Sequence, residues 1–154
     1  MPTTFVSTTT RIWGAALRRC SSNARLVRMY VATAPARTSE GIFPMSLGYA
    51  SIDTGLTEDE VRSALKELDA VGLVGWDEEQ ELVLDRESLE VMNYTSADDR
   101  RLKAAVKLIR TLPASPLIHE FHTLAARMAP PLARALAEVE SDRGYPTSRS
   151  ELMG

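Results

Sequence analysis

Arginine is the residue type with the most to offer chemically in this sequence. Arg11, Arg18, Arg19, Arg25, Arg28 and Arg37 fall within the first 37 residues, where there is no acid, so that segment carries +6. Guanidinium groups present paired N–H donors to phosphate, and a row of them is the usual footprint of a nucleic-acid contact. Arg11, Arg18, Arg19, Arg25 and Arg28 are therefore candidate DNA-binding residues, provided two short helices bring them together. Their plainer role is surface charge that balances acids elsewhere, within one molecule or between subunits. A second candidate set is Arg62, Ser63 and Lys66, on the outward side of a helix that starts at Glu58. In a groove-reading helix, Arg62 would reach a guanine edge and Lys66 a phosphate, with Ser63 between them. The same helix opens with Glu58, Asp59 and Glu60, and a tip downstream carries Asp77, Glu78, Glu79 and Glu81. Each of these carboxylates opposes phosphate, which favours a well-capped solvated face over a reading helix.

Other chemistries lack their residues. His119 and His122 are three apart with no third ligand near them in sequence, and Cys20 is the one cysteine, so no metal site is expected. Cys20 follows Arg18 and Arg19, but no partner base accompanies it, and a half-buried apolar cysteine is expected instead. Glycine-rich phosphate loops and paired catalytic carboxylates are absent, and the one Ser-x-x-Lys spacing, Ser63 to Lys66, lies on the outward side of the capped helix. The expectation is a protein that is not an enzyme and takes no cofactor.

The scaffold that must hold these residues is modest. The chain has 154 residues, 44% hydrophobic and 25% charged, which suits one compact domain or a small domain with an extension. No apolar run approaches the length of a membrane span, and a cytoplasmic protein is expected, in a bacterial host cell if phage-encoded. Charge is segregated: residues 38–94 sum to −11 and residues 95–154 to +2. The Arg-rich, Thr-rich start also suits a mitochondrial transit peptide. Against that, Ile12, Trp13, Ala16, Leu17 and Cys20 share one helical face.

Along the chain, Ser21 and Ser22 are good caps for a helix over 24–33, with Leu26, Met29, Tyr30 and Thr33 as its apolar stripe. Gly41-Ile42-Phe43-Pro44 suits a brief strand, and a short helix over 45–53 should end near Gly55. Thr57 and Glu60 form a capping box for a helix over 58–71, whose stripe is Val61, Ala64, Leu65, Leu68 and Val71. Gly72 should end it, and 73–84 then forms a hairpin with a glycine-free acidic tip. A helical turn over 87–92 and helices over 97–111, 116–128 and 132–139 follow, with Pro130-Pro131 as a stop. Trp13 and Trp76 are expected to pack in the core or against the hairpin. The order helix, strand, helix, capped helix, hairpin is that of a winged helix-turn-helix, with Thr54-Gly55-Leu56 as its turn. The expected class is mostly α (α+β), organised as a basic arm or helix (1–20), a winged helix-turn-helix domain (21–92), a helical extension (93–140) and a flexible tail (141–154).

Several stretches also match a known pattern: Arg11-Ile12-Trp13, the serine-led helix of 22–33, Gly41 to Leu47, the dense run from Gly55 through Asp77, and Leu112-Pro113-Ala114-Ser115-Pro116-Leu117. From about Arg11 to Met128 the sequence resembles the N-terminal winged-helix region of phage replication-initiation proteins of the DnaD-like type. The resemblance implies a DNA-binding or replication-initiation accessory role. Its partners would be DNA (bound weakly or with a partner), replication proteins such as a helicase or its loader, and further copies of the chain in a homo-oligomer. Members usually continue into a second helical domain, so these residues are expected to act with a partner. The alternatives are a self-associating winged-helix adaptor without DNA contact, or a transcriptional regulator.

Overall fold

A computed structural model describes residue 6, residues 8–95 and residues 99–142. Among these residues the chain is mostly helical, with eight α-helices and one three-stranded antiparallel sheet, an α+β arrangement. A 3₁₀ turn (Thr10–Trp13) leads into α1 (Ala15–Arg18) and α2 (Ser22–Thr33), followed by β1 (Ile42–Pro44), α3 (Leu47–Thr54) and α4 (Glu58–Ala70). The hairpin β2 (Val74–Asp77) and β3 (Leu82–Asp85) comes next, then α5 (Ser88–Val91), α6 (Asp99–Arg110), α7 (Pro116–Met128) and α8 (Pro130–Asp142).

Local signals in the sequence account for most boundaries. Thr57 Oγ1 accepts the Glu60 N–H at 3.1 Å and Glu60 Oε1 accepts the Thr57 N–H at 3.0 Å, so both halves of the α4 capping box form. Gly55 and Gly72 follow α3 and α4 with φ of +76° and +80°, a region in which a side chain would clash. The hairpin turns without glycine because Asp77 Oδ1 accepts the N–H groups of Glu79 and Gln80, both at 3.1 Å. Glu81 completes the turn at φ +46°.

The sheet order is β1-β3-β2, with Ile42 opposite Leu84 and Trp76 opposite Val83. Alternation along the strands then sorts the side chains between two cores. Phe43, Val74 and Val83 join Val27 and Val31 of α2, Ala50 of α3 and Val61, Leu65 and Leu68 of α4. Ile42, Leu82 and Leu84 join Leu102 and Ile109 of α6, Phe121 of α7 and Leu132 of α8. Both faces of the hairpin are thus covered by helices. Its polar end is tied down as well, since Ser115 donates to Asp77 Oδ2 at 2.6 Å.

Four expectations need correction. The buried face of α2 is Ala24, Val27, Arg28, Val31 and Ala32, while Leu26 is 42% exposed. The face of the first segment is split at Gly14, where the 3₁₀ turn gives way to α1, and Trp13 is left 48% exposed. Pro130 starts α8 rather than blocking it, because the first residues of a helix make no N–H bond that proline would break. The last helix also reaches Asp142, past 139 and into the stretch expected to be a tail. Residues 143–154, and most of the threonine-rich start read as a targeting segment, lie outside the described residues.

Candidate functional site

The arm arginines divide into three kinds. Arg28 is 2% exposed and does not face solvent, so it is removed from the phosphate-binding set. It points from the buried face of α2 into the end of β3, where its guanidinium meets Asp85 at 3.2 Å and Glu87 at 3.0 Å. Arg37 bonds the same Asp85 at 3.0 Å, and also Ser88 Oγ and the Val31 carbonyl. Asp85 therefore sits between two arginines and closes the sheet against α2. Among the described residues the Nε atoms of Arg28 and Arg37 have no partner, and a small cavity beside them is lined by Thr8, Thr9, Arg11 and Glu90.

Arg25 is the second kind. It donates from Nε to the Cys20 carbonyl at 3.1 Å, and from Nη2 to the Arg18 carbonyl, joining the end of α1 to the start of α2. This contact brings Arg18 and Arg25 together, as the two-helix arrangement requires. Arg11, Arg18 and Arg19 are the third kind: all three are exposed and make no salt bridge with a described residue. Arg11 lines the cavity beside Arg28 and Arg37. Cys20 is buried, and burial first, then Glu67, pushes its thiol pKa up, the opposite of an activated nucleophile.

On α4, Arg62 lies between two carboxylates, 2.6 Å from Asp59 and 2.6 Å from Glu78 at the hairpin tip. Trp76 donates from its indole N–H to the other oxygen of Glu78 at 2.6 Å. That bond first, and Arg62 second, hold the Glu78 carboxyl below the ordinary range, while Glu78 in turn raises Arg62. The side chain proposed to meet a guanine is thus already occupied. Ser63 and Lys66 are exposed on the same helix. Glu60 and Glu67 face the start of α2 instead: Glu67 accepts from the Ser21 N–H and hydroxyl at 2.6 and 2.7 Å, and Glu60 from Asn23 at 3.2 Å. Asp69 is bonded by Arg86, which also reaches Glu120 of α7. Most of the charge on this surface is engaged in holding elements together.

Two exposed surfaces escaped the sequence reading. Tyr49 and Ile52 of α3 are 72% and 76% exposed, in a segment that carries acids and no Lys or Arg from residue 38 to residue 61. Their signal was present, since an apolar pair three apart on the side of α3 opposite Leu47 and Ala50 has no core to enter. Arg100, Lys103, Lys107 and Arg110 of α6 are all exposed. Their three-four-three spacing was equally visible, but the near-neutral sum of residues 95–154 concealed it.

Comparison with protein-family models, curated proteins and solved structures gives no match. Among the described residues, no cluster of His, Cys, Asp or Glu is placed to hold a metal ion, and no helix is long and apolar enough to cross a membrane.

Proposed function

We propose that the chain is a winged-helix accessory protein of DNA-replication initiation, of the DnaD-like phage type its sequence resembles. In this reading its α4–hairpin surface engages protein rather than reading bases. The winged-helix part rests on the order α2, β1, α3, α4, β2, β3 and on a sheet in which the first strand pairs with the last. The observation that carries the functional part is Arg62, held by Asp59 and Glu78. A base-reading helix must offer its donors to the groove, and freeing Arg62 would break two charged contacts and leave Glu78 facing phosphate. The exposed Tyr49–Ile52 pair, next to acids, gives the same region the apolar anchors of a protein interface. Contact with DNA is then to phosphate only, and in the arm it falls to the exposed Arg11, Arg18 and Arg19. The partner is a replication protein such as a helicase or its loader, or a second copy of the chain.

Two measurements test this reading. Arg62→Ala should leave the affinity for any DNA sequence unchanged, measured by gel shift on several unrelated duplexes. Tyr49→Asp with Ile52→Asp should abolish co-migration with the helicase or loader on a sizing column, or dissociate a homo-oligomer in sedimentation. Tight, sequence-selective DNA binding that Arg62→Ala removes would overturn the reading.

A further inference from the structure

We infer that the outer face of α6 is a binding surface for the phosphate backbone of double-stranded DNA, engaged without regard to sequence. The helix is sharply two-sided. Leu102, Ala105, Val106 and Ile109 are buried in the second core, whereas Arg100, Lys103, Lys107 and Arg110 are exposed. The two sets repeat at the same helical spacing, two residues out of step, which places them on opposite faces. Arg101 is held separately, with its guanidinium 4.7 Å from the centre of the Tyr94 ring, and anchors the start of the helix.

Three features favour a ligand over a merely solvated face. First, like charges three and four apart on a helix repel and weaken it. Asp99, the first residue of α6, stands four before Lys103, but no acid lies between Arg100 and Arg110 at such spacing to Lys107 or Arg110. Second, Arg28, Arg37, Arg62 and Arg86 are all paired with carboxylates. Arg100, Lys107 and Arg110 make no salt bridge with a described residue, so this face keeps cationic charge that other parts of the molecule neutralise. Third, the dimensions match. Ten residues at about 1.5 Å each give a row about 15 Å long, enough to lie along a short stretch of phosphates on one strand.

The same face argues against other polyanions. It carries Ala104 between Lys103 and Lys107 and no aromatic ring, so it has no platform on which unpaired bases would stack. An anionic membrane would ask an amphipathic helix to insert its apolar side, and that side of α6 is buried within the protein.

The test uses the full chain and two 20-base-pair DNA duplexes of unrelated sequence, titrated by fluorescence anisotropy between about 50 and 200 mM salt. The unaltered protein should bind both alike. A variant with Arg100→Gln, Lys103→Gln, Lys107→Gln and Arg110→Gln should bind both at least tenfold more weakly. Its log–log salt slope should be flatter by roughly two to three units, at about 0.9 for each phosphate held by Arg100, Lys107 or Arg110. Circular dichroism checks that the variant is folded; if it is not, Lys107→Glu alone should still flatten the slope by about one unit. An unchanged slope in folded variants overturns the inference, as does a slope lost in an Arg11→Gln, Arg18→Gln, Arg19→Gln variant but kept in the α6 variant. Binding to vesicles of anionic phospholipid in preference to either duplex would also overturn it. These outcomes are separate from the partner-binding role, because the α6 variant keeps Tyr49 and Ile52 and should still co-migrate with its protein partner.

Discussion

Arg28 shows how one side chain changes meaning between sequence and structure. In the chain it is one more arginine in an acid-free segment. In the fold it occupies the same α2 face as Val27 and Val31 and is enclosed with Asp85. Removing one member of a buried ion pair leaves the other desolvated and unpaired, so Arg28→Met should destabilise by about 3 kcal/mol. Arg37 still pairs with Asp85 and keeps the loss at the low end of the range for such deletions. Urea denaturation measures it, and a loss under about 0.5 kcal/mol, the size of an ordinary surface change, would place Arg28 at the surface after all. Asp77 gives a residue-scale effect of pH. The Ser115 hydroxyl first, then the Gln80 and Glu79 N–H groups, hold its carboxyl below the ordinary value of 3.8. A depressed folded pKa contributes stability that is fully present above 3.8 and is lost as pH falls through the lower folded value. Asp77→Asn should therefore flatten the acid limb of a stability-against-pH curve below about pH 4 and leave its neutral part sloped as before. An acid limb identical in the two proteins would mean that the Ser115 contact does not form in solution.

At the scale of elements, what was legible depended on whether the signal is local. The α4 cap, the Gly55 and Gly72 stops, the Ser115-Pro116 start of α7 and the apolar stripe of α4 need only neighbouring residues, and each appears as expected. Leu65→Ala should cost about 2 to 5 kcal/mol, since Leu65 is fully buried in the first core. The α2 stripe was misjudged because two stripes compete there. Leu26, Met29 and Tyr30 are the larger side chains, yet the smaller Ala24, Val27 and Val31 let α2 approach α4 closely. Choosing between them requires knowing the partner helix, which no local pattern holds. Gly41 is a similar case. Its φ is +78°, and an added Cβ would lie 2.3 Å from the Ser88 Cβ and 3.3 Å from the Asp85 Cβ. Those residues lie more than forty positions away, so the sequence displays the glycine and conceals its reason. Gly41→Ala should destabilise by at least about 2 kcal/mol, where the same exchange inside a helix would stabilise, because strain and collision add. Thermal melting that shows no loss would mean that β1 and α5 are further apart than described.

For the whole molecule, the governing feature is a sheet shared by two cores. The order of elements suggested a domain over 21–92 with a helical extension beyond it. The strands instead divide their side chains between α2–α4 on one side and α6–α8 on the other, so the hairpin is a central layer. The candidate site was legible only in part for the same reason. Which arginines remain exposed follows from how the acidic middle folds back on α2, and the α6 row matters because its opposite face is buried. Cutting the chain after Met92 tests this arrangement directly. Residues 1–92 would expose Ile42, Leu82, Leu84 and Leu89, all buried in the intact chain. Burying an aliphatic side chain contributes about 1.5 to 3 kcal/mol, so losing four forfeits roughly 6 to 12 kcal/mol. That is comparable to the entire stability of a small domain, about 5 to 15 kcal/mol. The 1–92 fragment should therefore aggregate or bind a hydrophobic dye, and recover a cooperative melt when a fragment of residues 93–142 is added. A monomeric 1–92 fragment that melts as cooperatively as the full chain would mean that the helices of 99–142 decorate a self-sufficient domain, and that the outer sheet face tolerates water.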